Sequence, residues 1–188
     1  MLPDSPAERH RSVAATFAAR VAGAQDWEAS APVEGWVARD VVRHLIDWFP
    51  GFLAGGAGME LPAGPPVDDD PVGAWHHQTE AIQAILDDPA TASKTYSNPM
   101  TGDMPLPVMI QNFYTADVFM HTWDLARASG QDDTLDEAEC AEVLAGMQQM
   151  APVIRASGQF GDQQPVADDA SAQEKLIAFI GRDPHWSR

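Results

Sequence analysis

Four polar residues stand at positions where the chain otherwise places apolar ones, and their types suit metal chemistry. In the run Phe113-Tyr114-Thr115-Ala116-Asp117-Val118-Phe119-Met120-His121-Thr122-Trp123-Asp124-Leu125-Ala126-Arg127-Ala128, residues Asp117, His121 and Asp124 fall four and then three apart. On a helix all three project from one face. Ile110, Tyr114, Leu125 and Ala128 share that face, which turns it toward a core. A carboxylate and an imidazole in a core are costly unless they are paired, hydrogen-bonded or bound to a metal. His44 is in the same position on a second stretch, between Val41 and Trp48 on an apolar stripe and flanked outward by Arg43 and Asp47. If the two helices face each other, His44, Asp117 and His121 offer two imidazoles and one carboxylate, which resembles the way bundle-core metal sites are assembled. Three N/O ligands leave the coordination shell unfilled, the arrangement of a catalytic rather than a structural zinc site. The plainer expectation is that the histidines are hydrogen-bonded core residues and that Asp117 and His121 are an ordinary i,i+4 pair. The remaining histidines fit less well: His76 and His77 are adjacent, so only one of them can face inward, and His10 and His185 lie near the termini without an evident partner.

Helices must position these side chains. Ser5-Pro6-Ala7-Glu8 supplies an N-cap, a proline at the first helical position and a capping-box glutamate, and it opens a helix with Val13, Phe17 and Val21 that ends near Gly23. Val37, Val41, His44, Leu45 and Trp48 predict a second helix, interrupted by Pro50 and Gly51. From Ala54 to Pro71 the chain is dense in Gly and Pro, a loop ending in the acidic helix start Asp68-Asp69-Asp70. A third helix is expected over 71–86, with Val72, Trp75, Thr79, Ile82 and Leu86 on its inner stripe. Turn signals at Ser97-Asn98-Pro99 and Thr101-Gly102-Asp103 follow, and Lys94-Thr95-Tyr96 reads as a short strand or extended chain. The helix carrying Asp117 and His121 runs from about Pro107 to Ala128 and closes at Gly130. Another covers about Asp136 to Ala156, with Val143, Met147, Met150 and Ile154 inward. The last starts at a capping box of Ser171 and Glu174 and stops at Gly181. This pattern predicts an all-α protein, a four-helix bundle with additional C-terminal helices, as a single domain over 1–188.

Composition narrows the chemistry. The 188 residues carry 11 Lys and Arg against 28 Asp and Glu, a net charge of −17. Such a body repels phosphate backbones and acidic membrane faces, which argues against nucleic acid and membrane as partners. Most of the acid is expected at helix starts and in loops. Cys140 is the only cysteine, which excludes a disulfide framework and a thiolate zinc cage. It is expected early in its helix, outside the histidine cluster, so any sulfur chemistry must arrive on a cofactor. No run of apolar residues is long enough for a membrane span, and the N-terminus lacks the order of a signal peptide, so a cytoplasmic protein is expected.

Three segments together resemble one bacterial family: Trp36-Val-Ala-Arg-Asp40-Val-Val-Arg-His44-Leu45, the run from Asp117 through His121 and Asp124 to Arg127-Ala, and the ending Ala170-Ser-Ala-Gln-Glu-Lys-Leu-Ile-Ala-Phe-Ile-Gly-Arg-Asp183-Pro. This is the DinB-like superfamily, in particular the branch around mycothiol-dependent maleylpyruvate isomerase. The resemblance implies a divalent metal, zinc or else nickel or another ion, held by His44, Asp117 and His121. Asp117 stands where the isomerase has Glu and other members have His, and is one methylene shorter than Glu. Asp124 matches the Asp of a His-x-x-Asp-Leu segment and would orient His121 or a helix end. The resemblance also implies mycothiol as cofactor and an isomerase or S-transferase acting on a small electrophilic substrate, with His76, His77, Tyr114 and Trp48 as candidate pocket residues. Two other readings stay open: a bundle that binds metal or a small ligand without turnover, and a structural homodimer whose polar cluster is part of the core.

Overall fold

Proline and short acidic or hydroxyl side chains set the helix starts. The computed structural model describes residues 2–99 and 101–188, without the side chains of residues 153 and 157. Helix α1 (Pro6–Gly23) has Pro6 in its first turn, and α3 (Pro71–Asp87) begins at Asp70, whose carboxylate accepts the Gly73 N–H at 2.8 Å. Helix α2 (Ala38–Ala57) is preceded by Val37, whose N–H donates to Asp40 Oδ2 at 3.0 Å. The expected capping box at Ser171 and Glu174 forms in full at α8 (Ala172–Phe179). The one at Ser5 does not: its side chain makes no cap bond, and only its carbonyl receives the Arg9 N–H.

Strands β1 (Thr95–Asn98) and β2 (Gly102–Pro105) form an antiparallel hairpin with Tyr96 opposite Met104. Tyr96 is fully buried against Phe52 of α2, and its ring lies where a Cβ on Gly56 would stand, so that close approach requires glycine. The chain then runs without a break through α4 (Leu106–Met109), a π-helical turn (Ile110–Thr115) and α5 (Ala116–Ser129), and ends at Gly130 in the left-handed region. Helices α6 (Glu137–Gln149) and α7 (Ala151–Ser157) precede α8. Helix α1 packs on α3 and α5, α2 packs on α5 and α3, and α6 packs on α8. One apolar cluster links them, with Phe17, Leu45, Phe49, Leu53, Ile82, Met109, Ile110 and Leu176 fully buried. Among the described residues no helix is long and apolar enough to cross a membrane.

Three expectations need correction. Pro50 does not interrupt α2, because Phe49 and Leu53 on either side of it are fully buried and packing carries the helix on to Gly58. The helix expected over 136–156 is broken at Met150, since Pro152 lacks the N–H that would bond to Gln148 and starts α7 instead. In α3 the inner stripe is Ala74, Trp75, Gln78 and Ile82, while Val72 is 46% exposed. Val72 falls in the first turn, before the helix meets its neighbours.

Candidate metal centre

Packing of α2 on α5 brings His44 against Asp117 and His121. His44 Nε2 lies 3.1 Å from Asp117 Oδ2, and His121 Nε2 lies 3.5 Å from Asp117 Oδ1. One donor atom from each of the three residues falls within 4.8 Å of the others. The three side chains are graded in exposure, with His121 5%, Asp117 15% and His44 34% accessible, so solvent reaches the cluster from the His44 side.

The buried side is braced. His121 Nδ1 lies 2.8 Å from Asp124 Oδ2, and Asp124 is completely buried. Arg182, just after α8, donates from Nη2 to Asp124 Oδ2 at 3.1 Å and from Nε to Oδ1 at 3.4 Å. Burial pushes the Asp124 carboxyl upward, but the Arg182 guanidinium and the His121 contact more than offset it and hold the group below the ordinary aspartate range. An ionised Asp124 carboxylate can only accept, so His121 Nδ1 is the donor of that contact and Nε2 is the atom left facing Asp117. At Asp117 burial again pushes up, while His121, His44 and the Trp48 indole bring the group below its ordinary value. Trp48 Nε1 donates to Asp117 Oδ2 at 3.0 Å. The result is a centre in which the Nε2 atoms of two imidazoles face the two oxygens of one anionic carboxylate. That donor set fits a divalent cation, and its remaining ligand positions would face the exposed side.

Aromatic rings surround the imidazoles. Trp36, in the loop before α2, has its ring 5.2 Å from His44 and stacks at 5.9 Å on His121. The π-helical turn lies immediately before Asp117; single π turns inside helices are frequent at functional sites because the extra residue re-aims the side chains that follow. Tyr114, within that turn, is fully buried against Phe49 and lies beneath the cluster rather than at its open side.

Sequence spacing thus brought together the residues that the fold assembles, His44, Asp117, His121 and, behind them, Asp124. His76 and His77 are not part of the cluster: His76 pairs with Glu80 on the outer side of α3, and His77 packs over Gly64. Cys140 is buried in α6 away from these ligands, and burial pushes its thiol up to about 12, which suits an inert core residue. Trp36 and Arg182 carry no spacing signal, since one comes from a loop and the other from the far end of the chain. Trp48 was legible, as it stands one turn after His44.

The chain is 31% identical over 182 residues to an uncharacterised protein of Mycobacterium tuberculosis strain CDC 1551, MT0763, covering 94% of this chain and 97% of that one. The same values hold for Rv0738, an uncharacterised protein of strain H37Rv. No family model matches the chain, and no solved structure matches it.

Proposed function

This chain belongs to the family of the mycobacterial proteins Rv0738 and MT0763, and we propose that it is a divalent-metal- and thiol-dependent enzyme, an isomerase or S-transferase acting on a small electrophilic substrate. The observation that carries the reading is the convergence of His44, Asp117 and His121 from two helices, with one donor atom of each within 4.8 Å of the others. The likeness of three chain segments to the mycothiol-dependent maleylpyruvate isomerase branch of the DinB-like superfamily supports it. So does the packing of α1, α2, α3 and α5, read as a four-helix bundle with α6 to α8 added in one domain over 1–188. Zinc suits the donor set, as does nickel.

A divalent cation at this centre supplies Lewis acidity and favours the deprotonated form of a thiol brought to it. The residues do the rest. Asp124 and Arg182 orient His121, Trp48 and His44 orient the Asp117 carboxylate, and Trp36 stacks on the His121 imidazole. The 34% exposed His44 side leaves an approach for thiol and substrate.

Metal analysis of the purified, reconstituted protein tests the centre. One equivalent of metal is expected in the parent and none in His44→Ala or His121→Ala; a parent that binds no metal overturns the reading. A titration with mycothiol then tests thiol dependence, because a ligand that binds only the folded state must raise the melting temperature. A bundle that holds metal without turnover is the alternative, selected by a melting temperature that responds to metal and not to mycothiol.

A further inference from the structure

The open side of the metal centre is aromatic. His44, Trp48 and Phe52 follow one another at intervals of four on α2, so they form a single stripe that leads away from the ligands. Trp48 and Phe52 rings are 5.5 Å apart, Phe52 and Phe113 rings 5.6 Å apart, and Trp36 borders His44 on the other side. All four of these aromatic residues are half-buried, so they keep ring surface accessible beside the exposed ligand. They are also fixed: Trp48 by its bond to Asp117, and Phe52 by its contacts with Trp48, Phe113 and Tyr96.

The cations nearest in sequence are committed elsewhere. Arg43 pairs with Asp68 at 2.8 Å and Asp40 at 3.4 Å, and Arg39 pairs with Glu28 at 2.6 Å and Asp68 at 3.6 Å. Two cavities of the fold, of about 350 Å³ and about 170 Å³, are lined by other residues, at the end of α5 beside Trp186 and between Val13, Phe119 and Leu135. What adjoins the metal centre is therefore a half-buried aromatic wall, its rings tilted by 61° between Trp48 and Phe52 and by 50° between Phe52 and Phe113, in a protein of net charge −17. Ring faces attract flat π-systems and cations, and such a surface has no counter-charge to offer a carboxylate or phosphate.

We propose that this surface is an aromatic platform, and that the ligand taken at the metal centre carries an aromatic or conjugated, non-anionic body beside its metal-binding atom. The proposal rests on the metal reading above. Hydroxamates test it, because one metal-binding group can carry different bodies. Titrations of the metal-loaded protein, followed by calorimetry, should show benzohydroxamate binding about tenfold tighter than acetohydroxamate. Benzohydroxamate bearing a 4-carboxylate should bind more weakly than the unsubstituted compound. In Phe52→Ala, and independently in Phe113→Ala, the ratio of aryl to alkyl affinity should fall to within about threefold of unity, as expected once a stacked ring is lost. Because a ratio is read, a general weakening of the metal centre cancels. Equal binding of the two hydroxamates, tighter binding of the carboxylate, a ratio unchanged in both variants, or no hydroxamate binding to metal-loaded protein overturns the platform while leaving the metal centre standing. Failure to load metal at all overturns both.

Discussion

Two buried carboxylates tie the C-terminal helices to the rest of the molecule, and they are treated in opposite ways. Asp124 on α5 is gripped by Arg182 and His121; Glu139 on α6 faces Arg9 of α1 at 3.2 Å. Burial pushes both carboxyls upward. At Asp124 the cation and the imidazole outweigh burial and the group is held low, whereas at Glu139 the pull of Arg9 is countered by Glu142 and Asp136 and the group stays above the ordinary glutamate value. The difference separates a centre organised to keep negative charge from a link that merely accommodates it. A cation site needs its carboxylates ionised, and a structural contact between helices does not.

Removing each arginine tests the contrast most severely. Arg182→Met removes the cation from the buried Asp124 carboxylate and leaves it only the His121 contact, and chemical denaturation should show a loss of about 3–5 kcal/mol. Arg9→Met should cost less, because Glu139 can take up a proton; equal losses would break the comparison. A smaller effect is expected on metal affinity. Asp124→Asn should weaken it by about 10–100-fold in chelator competition, with Trp48→Phe, which removes the indole N–H bond to Asp117 Oδ2, near the lower end of that range. Glu139→Gln should leave metal affinity unchanged.

The smallest effect lies in the pH dependence of stability. The folded-state value of Glu139 is raised above its ordinary 4.5, so the folded protein holds the proton more tightly than the unfolded chain. Its contribution is fully present below the unfolded value and is lost as pH rises through the folded one. Denaturation midpoints compared between pH 4 and 7 should therefore decline less with rising pH in Glu139→Gln than in the parent; a steeper decline in the variant would reverse the assignment.

The candidate cluster was legible because helical spacing is a local property. Asp117, His121 and Asp124 share a face by arithmetic, and His44 stands out as a polar residue on an apolar stripe. The same local reading erred where tertiary packing outweighed it. Pro50 is a helix breaker in isolation, yet buried Phe49 and Leu53 hold α2 straight through it. The π turn before Asp117 was invisible, because no residue type demands the extra residue it inserts. The hairpin was half legible, since Tyr96 was recognisable as extended chain but its partner Met104 was not.

By itself, then, the sequence determined the helical character, the donor set of His44, Asp117 and His121, and the negative charge that favours a cation over a phosphate. Only the tertiary structure decided that α2 meets α5 with those donors converging, that Trp36 stacks on the imidazoles, and that Arg182 braces Asp124 from 58 residues away. The physical reason is range: backbone periodicity is set within a turn or two, whereas convergence and counter-charge depend on which distant surfaces pack together.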